Sequence, residues 1–490
     1  MLDAPQRNSP KSLITSLILW LFSSAVLLMS FTNPELEAPL WAAPVIILFL
    51  FVLIFGISLI IWKFTVLYGT DTDLIKEFEF ITRSKKTVPY AKIASVNVVR
   101  GFFDRILGTA TIQVNINSSM NSTVPEISFV FDMDVANQIR DELSSKIYGN
   151  CHSSENEAVY ESIVKFTPMD SVLHGIFGAS TGYILSSMFG LSIPVIESLL
   201  TGGIGALGVL LLTTAIMCII PMGGLIVKYY GFKVYKIGDT VYLEHGLIQQ
   251  YRKSFKVSRI NAVRIKRTLF ARLMNKATLE VEVVGITAAG DDMVPTLCIL
   301  TSLDNIRKVM DEIVPDFEDM SDGITQPEAA RRVWNMKAVY ASLATCVLLA
   351  IPLVLVLTSD IGNVVQYRTV LAAAIVASAA VLCAVFFFAV HVGFRINRFE
   401  MGADKFMFQF GIVDRCRVIM QYDRVQIANV YAWPLAQRLG LGRCSIHLLS
   451  AIGASGIKSG YYMREDLEKI QTEVMERIRD GRYDYRKTQF

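Results

Sequence analysis

The sequence predicts a membrane α-helical protein, with six spans arranged as three hairpins and three small sheet-rich cytoplasmic units, each capped by a C-terminal helix. Three observations lead there. Six stretches are long and apolar enough to cross a hydrocarbon core, a similar polar sequence follows each pair of them, and positive charge flanks every pair on the same side.

The spans come first. A helix needs about 20 apolar residues to cross a bilayer, and residues 13–31, 44–62, 172–191, 203–227, 337–357 and 370–394 qualify. The first is too long for a secretory signal and is followed at once by a second span, so an uncleaved anchor is expected. Arg7, Lys11, Lys63, Lys228, Lys233, Arg331, Arg332, Lys337, Arg395 and Arg398 flank the open ends of the hairpins. The tips carry Glu35 and Glu37, Glu197, and Asp360 with Arg368. This bias places both termini and all three units in the cytoplasm. No Asp, Glu, Lys or Arg lies in the middle of a span, which disfavours an ion or proton pathway. The small-residue runs around Gly178–Gly182 and Ala373–Ala384 read as helix-packing surfaces. His174 and His391, toward the cytoplasmic ends of spans three and six, form no constellation and read as interface residues.

Composition agrees. The chain has 490 residues, 52% hydrophobic and only 19% charged, too little charge to solvate a soluble protein of this length. A net charge of +3 gives no footprint for nucleic acid. The seven cysteines form no CxxC pair, so neither a disulfide framework nor a zinc site is expected, and free thiols facing a reducing cytosol are.

The units repeat. Ile93-Ala94-Ser95-Val96 returns as Ile260-Asn261-Ala262-Val263, Arg105-Ile106-Leu107 as Arg272-Leu273-Met274, and Ala110-Thr111 as Ala277-Thr278, all 167 positions apart. A third copy runs from Tyr422-Asp423-Arg424-Val425 to Leu441-Gly442-Arg443-Cys444-Ser445. So long a period means a repeated membrane-plus-domain module. Alternating apolar residues predict strands across 93–99, 110–116, 127–131, 241–249, 254–265, 278–284, 296–300, 406–419, 424–430 and 445–449, with a turn region at 101–108. Helices are expected over 134–146, 303–313 and 464–479. The chain therefore divides into hairpin 1 (1–63), unit 1 (64–150), hairpin 2 (165–230), unit 2 (231–320), hairpin 3 (330–395) and unit 3 (396–480).

Tyr422-Asp423-Arg424-Val425-Gln426, followed by Pro434-Leu435-Ala436-Gln437-Arg438-Leu439-Gly440-Leu441-Gly442, resembles the signature of the bacterial pleckstrin-homology-like (PH-like) domain. Arg105–Thr111 looks like the same element in unit 1. Unit 2 keeps Ser258-Arg259-Ile260 and Arg272-Leu273 but has Asn275 at the glycine position. With its hairpins, nearly the whole chain is similar to YdbT-like membrane proteins. The resemblance implies PH-like β-barrels of seven strands with a C-terminal helix. It also implies a small YdbS-like membrane partner and an accessory role in the bacterial envelope.

Candidate contacts for a partner or for anionic lipid are basic. Arg105, Arg272 and Arg438 recur at the turn of their units, where an arginine either holds the corner or presents its fork of donors to a phosphate or carboxylate. Arg83, Lys85 and Lys86 form a second set with Arg252, Lys253 and Lys256, and with Arg415 and Arg417. Near an anionic leaflet each would add about 1 kcal/mol of attraction. No catalytic motif, metal-ligand spacing or cofactor fingerprint is present, so no enzyme activity, metal or cofactor is expected. The favoured expectation is a multi-pass scaffold of the bacterial cytoplasmic (inner) membrane. Its units would bind protein partners or each other, with membrane lipids around it, a homo-oligomer possible and no nucleic acid. The alternative is a lipid-binding, or lipid or small-molecule transport, protein.

Overall fold

The computed structural model describes residues 2, 4–14, 17–18, 20–21, 24, 42–116, 125–148, 163–182, 219–220, 222–283, 294–317, 320, 323–358, 365–448 and 456–481. Helix α1 (Ala42–Phe64) runs without a linker into strand β1 (Thr65–Gly69), so the apolar helix is tied directly to unit 1. β2 (Asp73–Glu79) and β3 (Arg83–Pro89) complete an antiparallel meander. A 3-10 turn at Tyr90–Lys92 redirects the chain into β4 (Ile93–Arg100). Short helix α2 (Phe102–Leu107), β5 (Thr109–Ile116), β6 (Ile127–Asp132) and helix α3 (Met133–Tyr148) follow.

Unit 2 repeats this order after helix α4 (Pro168–Phe177). It comprises β7 (Lys233–Ile237), β8 (Thr240–His245), β9 (Gln250–Lys256), β10 (Ile260–Arg267), α5 (Leu269–Leu273), β11 (Lys276–Val283), β12 (Thr296–Ser302) and α6 (Leu303–Ile313). A two-residue strand, β13 (Ile324–Thr325), precedes the long helices α7 (Glu328–Thr358) and α8 (Arg368–Ile396), which pack together. Unit 3 follows as β14 (Arg398–Met401), β15 (Lys405–Phe410), β16 (Arg415–Gln421), β17 (Val425–Tyr431), α9 (Pro434–Arg438), β18 (Leu441–Leu448), β19 (Ile457–Lys458), β20 (Tyr462–Met463) and α10 (Arg464–Arg479).

Among the described residues three helices are long and apolar enough to cross a membrane: Pro44–Phe64, Glu328–Thr358 and Arg368–Ile396. None of their apolar windows is buried by protein (0% in each), so lipid is their natural solvent. Six spans are therefore not all shown. Most of the expected spans 13–31 and 203–227, and residues 183–191 of the span 172–191, lie outside the described residues. The start of 172–191 is a correction. The helix there ends at Phe177, and Gly178 donates back to the His174 carbonyl before the chain turns at 178–180. Asp414 fixes that turn by accepting from the Thr181 amide (2.8 Å) and the Ser180 hydroxyl (3.2 Å).

The expected closed barrels are also corrected, because the sheets are shared. One six-stranded sheet runs β6-β5-β4-β9-β8-β7, joining the second half of unit 1 to the first half of unit 2. A seven-stranded sheet runs β12-β11-β10-β16-β15-β14-β13 and joins units 2 and 3 in the same way. Unit 1 keeps a separate β1-β2-β3 sheet and unit 3 a separate sheet of β17, β18, β19 and β20. Pairing with a neighbouring unit satisfies the edge amides and carbonyls that barrel closure would otherwise satisfy.

The two faces of the unit 2–3 sheet serve different cores. Ile419 and Met407 of unit 3 lie in the core of unit 2 with Val263, Leu279, Ile306 and Met310. Ala262 of unit 2 lies in the core of unit 3 with Met420, Phe406 and Leu467. The period-2 alternation of a strand produces this division. Unit 1 has its own core of Leu67, Leu74, Val96, Phe129 and Ile139, which also takes in Leu2.

Local departures have local causes. The expected turn at 101–108 holds helix α2, started by the Asp104 carboxylate on the Gly101 amide (3.0 Å) and ended by left-handed Gly108. Gly440 takes the same conformation in unit 3, while unit 2 puts Asn275 there at φ 52°, the only non-glycine with positive φ among the described residues. Asn tolerates this region better than other L-residues. The expected strand 254–265 is divided by a 3-10 turn at Val257–Arg259, and 406–419 by a hairpin turn at Gly411 (φ 106°).

Candidate functional site: the basic joints between units

The two joints are built from corresponding strands in the same register. In joint 1, Val98, Val99 and Arg100 of β4 face Arg252, Tyr251 and Gln250 of β9. In joint 2, Ile265, Lys266 and Arg267 of β10 face Arg417, Cys416 and Arg415 of β16. The first member of each pair shifts by 167 positions and the second by 165, which is the repeat itself. Joint 2 continues to Ala262 opposite Met420.

The sequence-predicted basic residues fall in several places. Arg252 and Lys253 lie on β9 in joint 1, where Lys253 is buried with its ammonium 5.9 Å from the Tyr251 ring centroid. Arg415 and Arg417 lie on β16 in joint 2. Arg83, Lys85 and Lys86 lie on exposed β3, outside both joints. There Arg83 pairs with Glu77 (3.0 Å), and Lys86 pairs with Glu126. Lys256 ends β9.

The turn arginines are held at the corners. Arg105 of α2 donates to the Leu247 carbonyl in the β8–β9 turn, a bond from unit 1 to unit 2. Arg272 ends α5 beside Arg267 and Arg415, and Arg438 ends α9. A comparable tie joins units 2 and 3, where Arg424 donates to the Ser258 carbonyl (2.7 Å).

Several arginines that matter here were not singled out in the sequence. Arg100 and Arg267 occupy corresponding ends of β4 and β10. Burial, then Arg105 and Arg252, hold the Arg100 guanidinium below its ordinary pKa. Burial, then Arg272 and Arg417, do the same to Arg267. Burial, then Arg272 and Arg267, lower Arg415. Each joint thus gathers cations close enough to disfavour one another. The 167-residue offset pairs Arg100 with Arg267 and is the signal that could have found them.

Two of the turn helices, α5 and α9, lie against the helices that precede their units. Thr268, before α5, donates its hydroxyl to the Phe177 carbonyl at the end of α4, and the Leu269 amide donates to Thr181 Oγ1 (3.2 Å). In unit 3, Ala436 and Leu435 of α9 pack with Ala330 and Val333 of α7. Phe102, Phe103 and Ile106 of α2, Leu273 of α5 and Trp433 before α9 are exposed beside the turn arginines. Aromatic and apolar groups next to arginine suit the headgroup layer of a membrane. His174 accepts the Leu300 amide (3.3 Å) and meets Tyr229 edge to face, so it ties α4 to unit 2.

Each unit therefore repeats a sheet, a turn helix with arginine and a C-terminal helix, and among the described residues apolar helix α1 leads into unit 1 and the pair α7 and α8 into unit 3. The family model of the bacterial PH domain matches residues 16–147, 193–313 and 343–478. The chain belongs to the bacterial PH domain family, with three copies. The third matched stretch starts within helix α7, so that copy takes in apolar helix as well as sheet. No curated protein and no solved structure matches the chain. Bacterial PH units of this kind form a membrane-associated module for binding protein or lipid. Among the described residues, no group of three or more His, Cys, Asp or Glu side chains is placed to hold a metal ion.

Proposed function

We propose that the chain is a non-enzymatic scaffold of the bacterial cytoplasmic membrane whose PH units recognise further units of the same kind by strand pairing. One observation supports this above the rest: the same joint, in the same register, is made twice within the chain. A surface that joins unit 1 to unit 2 and unit 2 to unit 3 suits a fourth unit equally. The two halves of that joint left over are β3 and β17, which pair only with β2 and β18 among the described strands.

Burial supports the same reading. Ile427 on β17 is 58% exposed, whereas its counterpart Ala262, paired with Met420 in joint 2, is 0% exposed. Strand addition supplies affinity through main-chain hydrogen bonds and specificity through alternate side chains. A membrane protein carrying one or two PH units fits these edges, as a small YdbS-like partner would, and a second copy of this chain offers the same surfaces. Positive charge at the open ends of the hairpins supports a multi-pass arrangement with the termini and units in the cytoplasm.

The test is a mild-detergent pull-down of the tagged full chain, with mass spectrometry of the recovered proteins. Recovery of a membrane protein bearing a PH unit, and its loss with the surface variant Ile427→Asp, is expected. Recovery of no such protein, or equal recovery with Ile427→Asp, contradicts the proposal. The other reading, a lipid-handling protein, is favoured by one observation, the arginine-lined cleft of joint 2.

A further inference from the structure

A cleft lies between the shared sheet of joint 2 and helix α6. Its floor is a single row across four strands: Arg398 on β14 faces Gln409 on β15, Gln409 faces Arg417 on β16, and Arg417 faces Ile265 on β10. Two residues along, and so on the same face, Arg415 lies opposite Arg267. Helix α6 contributes Leu303, Ile306, Arg307 and Met310, leaving a cleft of about 420 Å³, within the size range of ligand sites. Five arginines line it, and among the described residues no carboxylate does.

Joint 1 shows what is missing. Its corresponding row is Lys233, Glu244, Arg252 and Val98. Glu244 occupies the place of Gln409, with its carboxylate 3.5 Å from Arg252, and Gln250 occupies the place of Arg415. Unit 1 has Glu77 at the same place, paired with Arg83. The acid that balances the row in two units is an uncharged amide in the third, and an arginine is added. Like charges facing each other across strands are unfavourable, and a bound anion would supply the counter-charge. Guanidinium forks match phosphate oxygens in geometry. Ile265, Ile306 and Met310 give the cleft an apolar side. Arg398 lies two residues beyond Ile396, the end of membrane helix α8.

We infer that the cleft between units 2 and 3 binds a phosphorylated anionic headgroup, with the arginines on the phosphate and the apolar side against the adjoining carbon chain. The inference rests on the lipid-handling reading and is independent of any partner at the free edges, so its failure leaves the scaffold proposal standing.

The test uses the full chain in neutral detergent, with ligand occupancy counted by native mass spectrometry. The probes are dihexanoylphosphatidylglycerol, dihexanoylphosphatidylcholine and glycerol 3-phosphate. The anionic lipid should bind at least ten-fold more tightly than the zwitterionic one. If glycerol 3-phosphate competes, the cleft takes a free phosphate ester as well; if it does not, the ligand is a lipid. Gln409→Glu, which installs the residue of joint 1, should lower affinity for the anionic lipid at least ten-fold. Gln409 also donates to the Ile396 carbonyl (2.9 Å), so Arg415→Gln, again the joint 1 residue, is the second variant and should weaken binding several-fold. No preference for the anionic lipid, or wild-type affinity in both variants, would overturn the inference.

Discussion

Ala262 of the second unit lies opposite Met420 of the third, and both are fully buried in the third unit's core. One position away, Val263 and Ile419 face each other on the opposite side of the sheet, in the second unit's core. Neither unit completes its core without strands from the other, so the joint belongs to the folding of both.

Truncating Ile419 should therefore be felt in its neighbour. Ile419→Ala removes a fully buried side chain and should cost about 2–4 kcal/mol. Hydrogen exchange should show the loss of protection in α6 of unit 2 as well as in β16. An effect confined to unit 3 would contradict the shared core.

Arg477 fixes helix α10 to the rest of unit 3. Its side chain is 7% exposed and reaches Glu473 (2.8 Å), Asp404 (2.9 Å) and Asp423 (3.3 Å). Asp404 is largely solvated, which reduces the value of that pair. Arg477→Ala should cost unit 3 about 2 kcal/mol. Cys444 is fully buried in the same unit, and burial pushes its thiol up to about 12. Maleimide should reach it only when the unit opens, and the variant should speed that labelling roughly 30-fold. An unchanged rate would count against the role given to Arg477.

Alkaline pH should weaken unit 3. The Cys444 thiol is raised by burial from 9.0 to about 12, and the Tyr422 phenol from 10.0 to about 12, by burial and then by Glu473. The unfolded chain then gives up these protons first, so stability is full below about 9 and falls as pH rises through the window up to about 12. Denaturant midpoints at pH 8 and pH 11 check the sign. Cys444→Ala should flatten the lower part of the fall, and a rise in stability would refute it.

Asn275 marks a backbone cost. At φ 52° it stands where the other units have Gly108 and Gly440. Asn275→Ala should destabilise unit 2 by about 1 kcal/mol. Asn275→Gly should come within a few tenths of neutral, since it relieves the backbone but loses the bond from Arg267 (3.3 Å). Thermal unfolding of the two variants gives the comparison.

The repeat, the unit order and three of the six expected apolar helices were legible because each is written locally. Ile93 and Ile260 start matching strands, and α3, α6 and α10 follow their sheets as their patterning implies. The sharing of sheets was not legible. Alternation tells which face of β10 is apolar, but not that β16, about 150 residues later, lies beside it. Strand β3 escaped recognition because Arg83, Ser84, Lys85, Lys86 and Thr87 are all exposed and show no alternation. The basic clusters were visible one by one. Their assembly was not, since the cleft takes Arg267, Arg307, Arg398 and Arg415 from four separate elements.

The register of joint 2 can be read with a single added cysteine, because Lys266 lies directly opposite the native Cys416. Neighbours at that position come within disulfide reach, and a one-residue slip turns the side chain to the other face. Full-length Lys266→Cys, oxidised mildly and mapped by peptide mass spectrometry, should yield a 266–416 disulfide, and Arg267→Cys should yield none to Cys416. Absence of the link in the first, or its appearance in the second, would contradict the shared sheet on which this account stands.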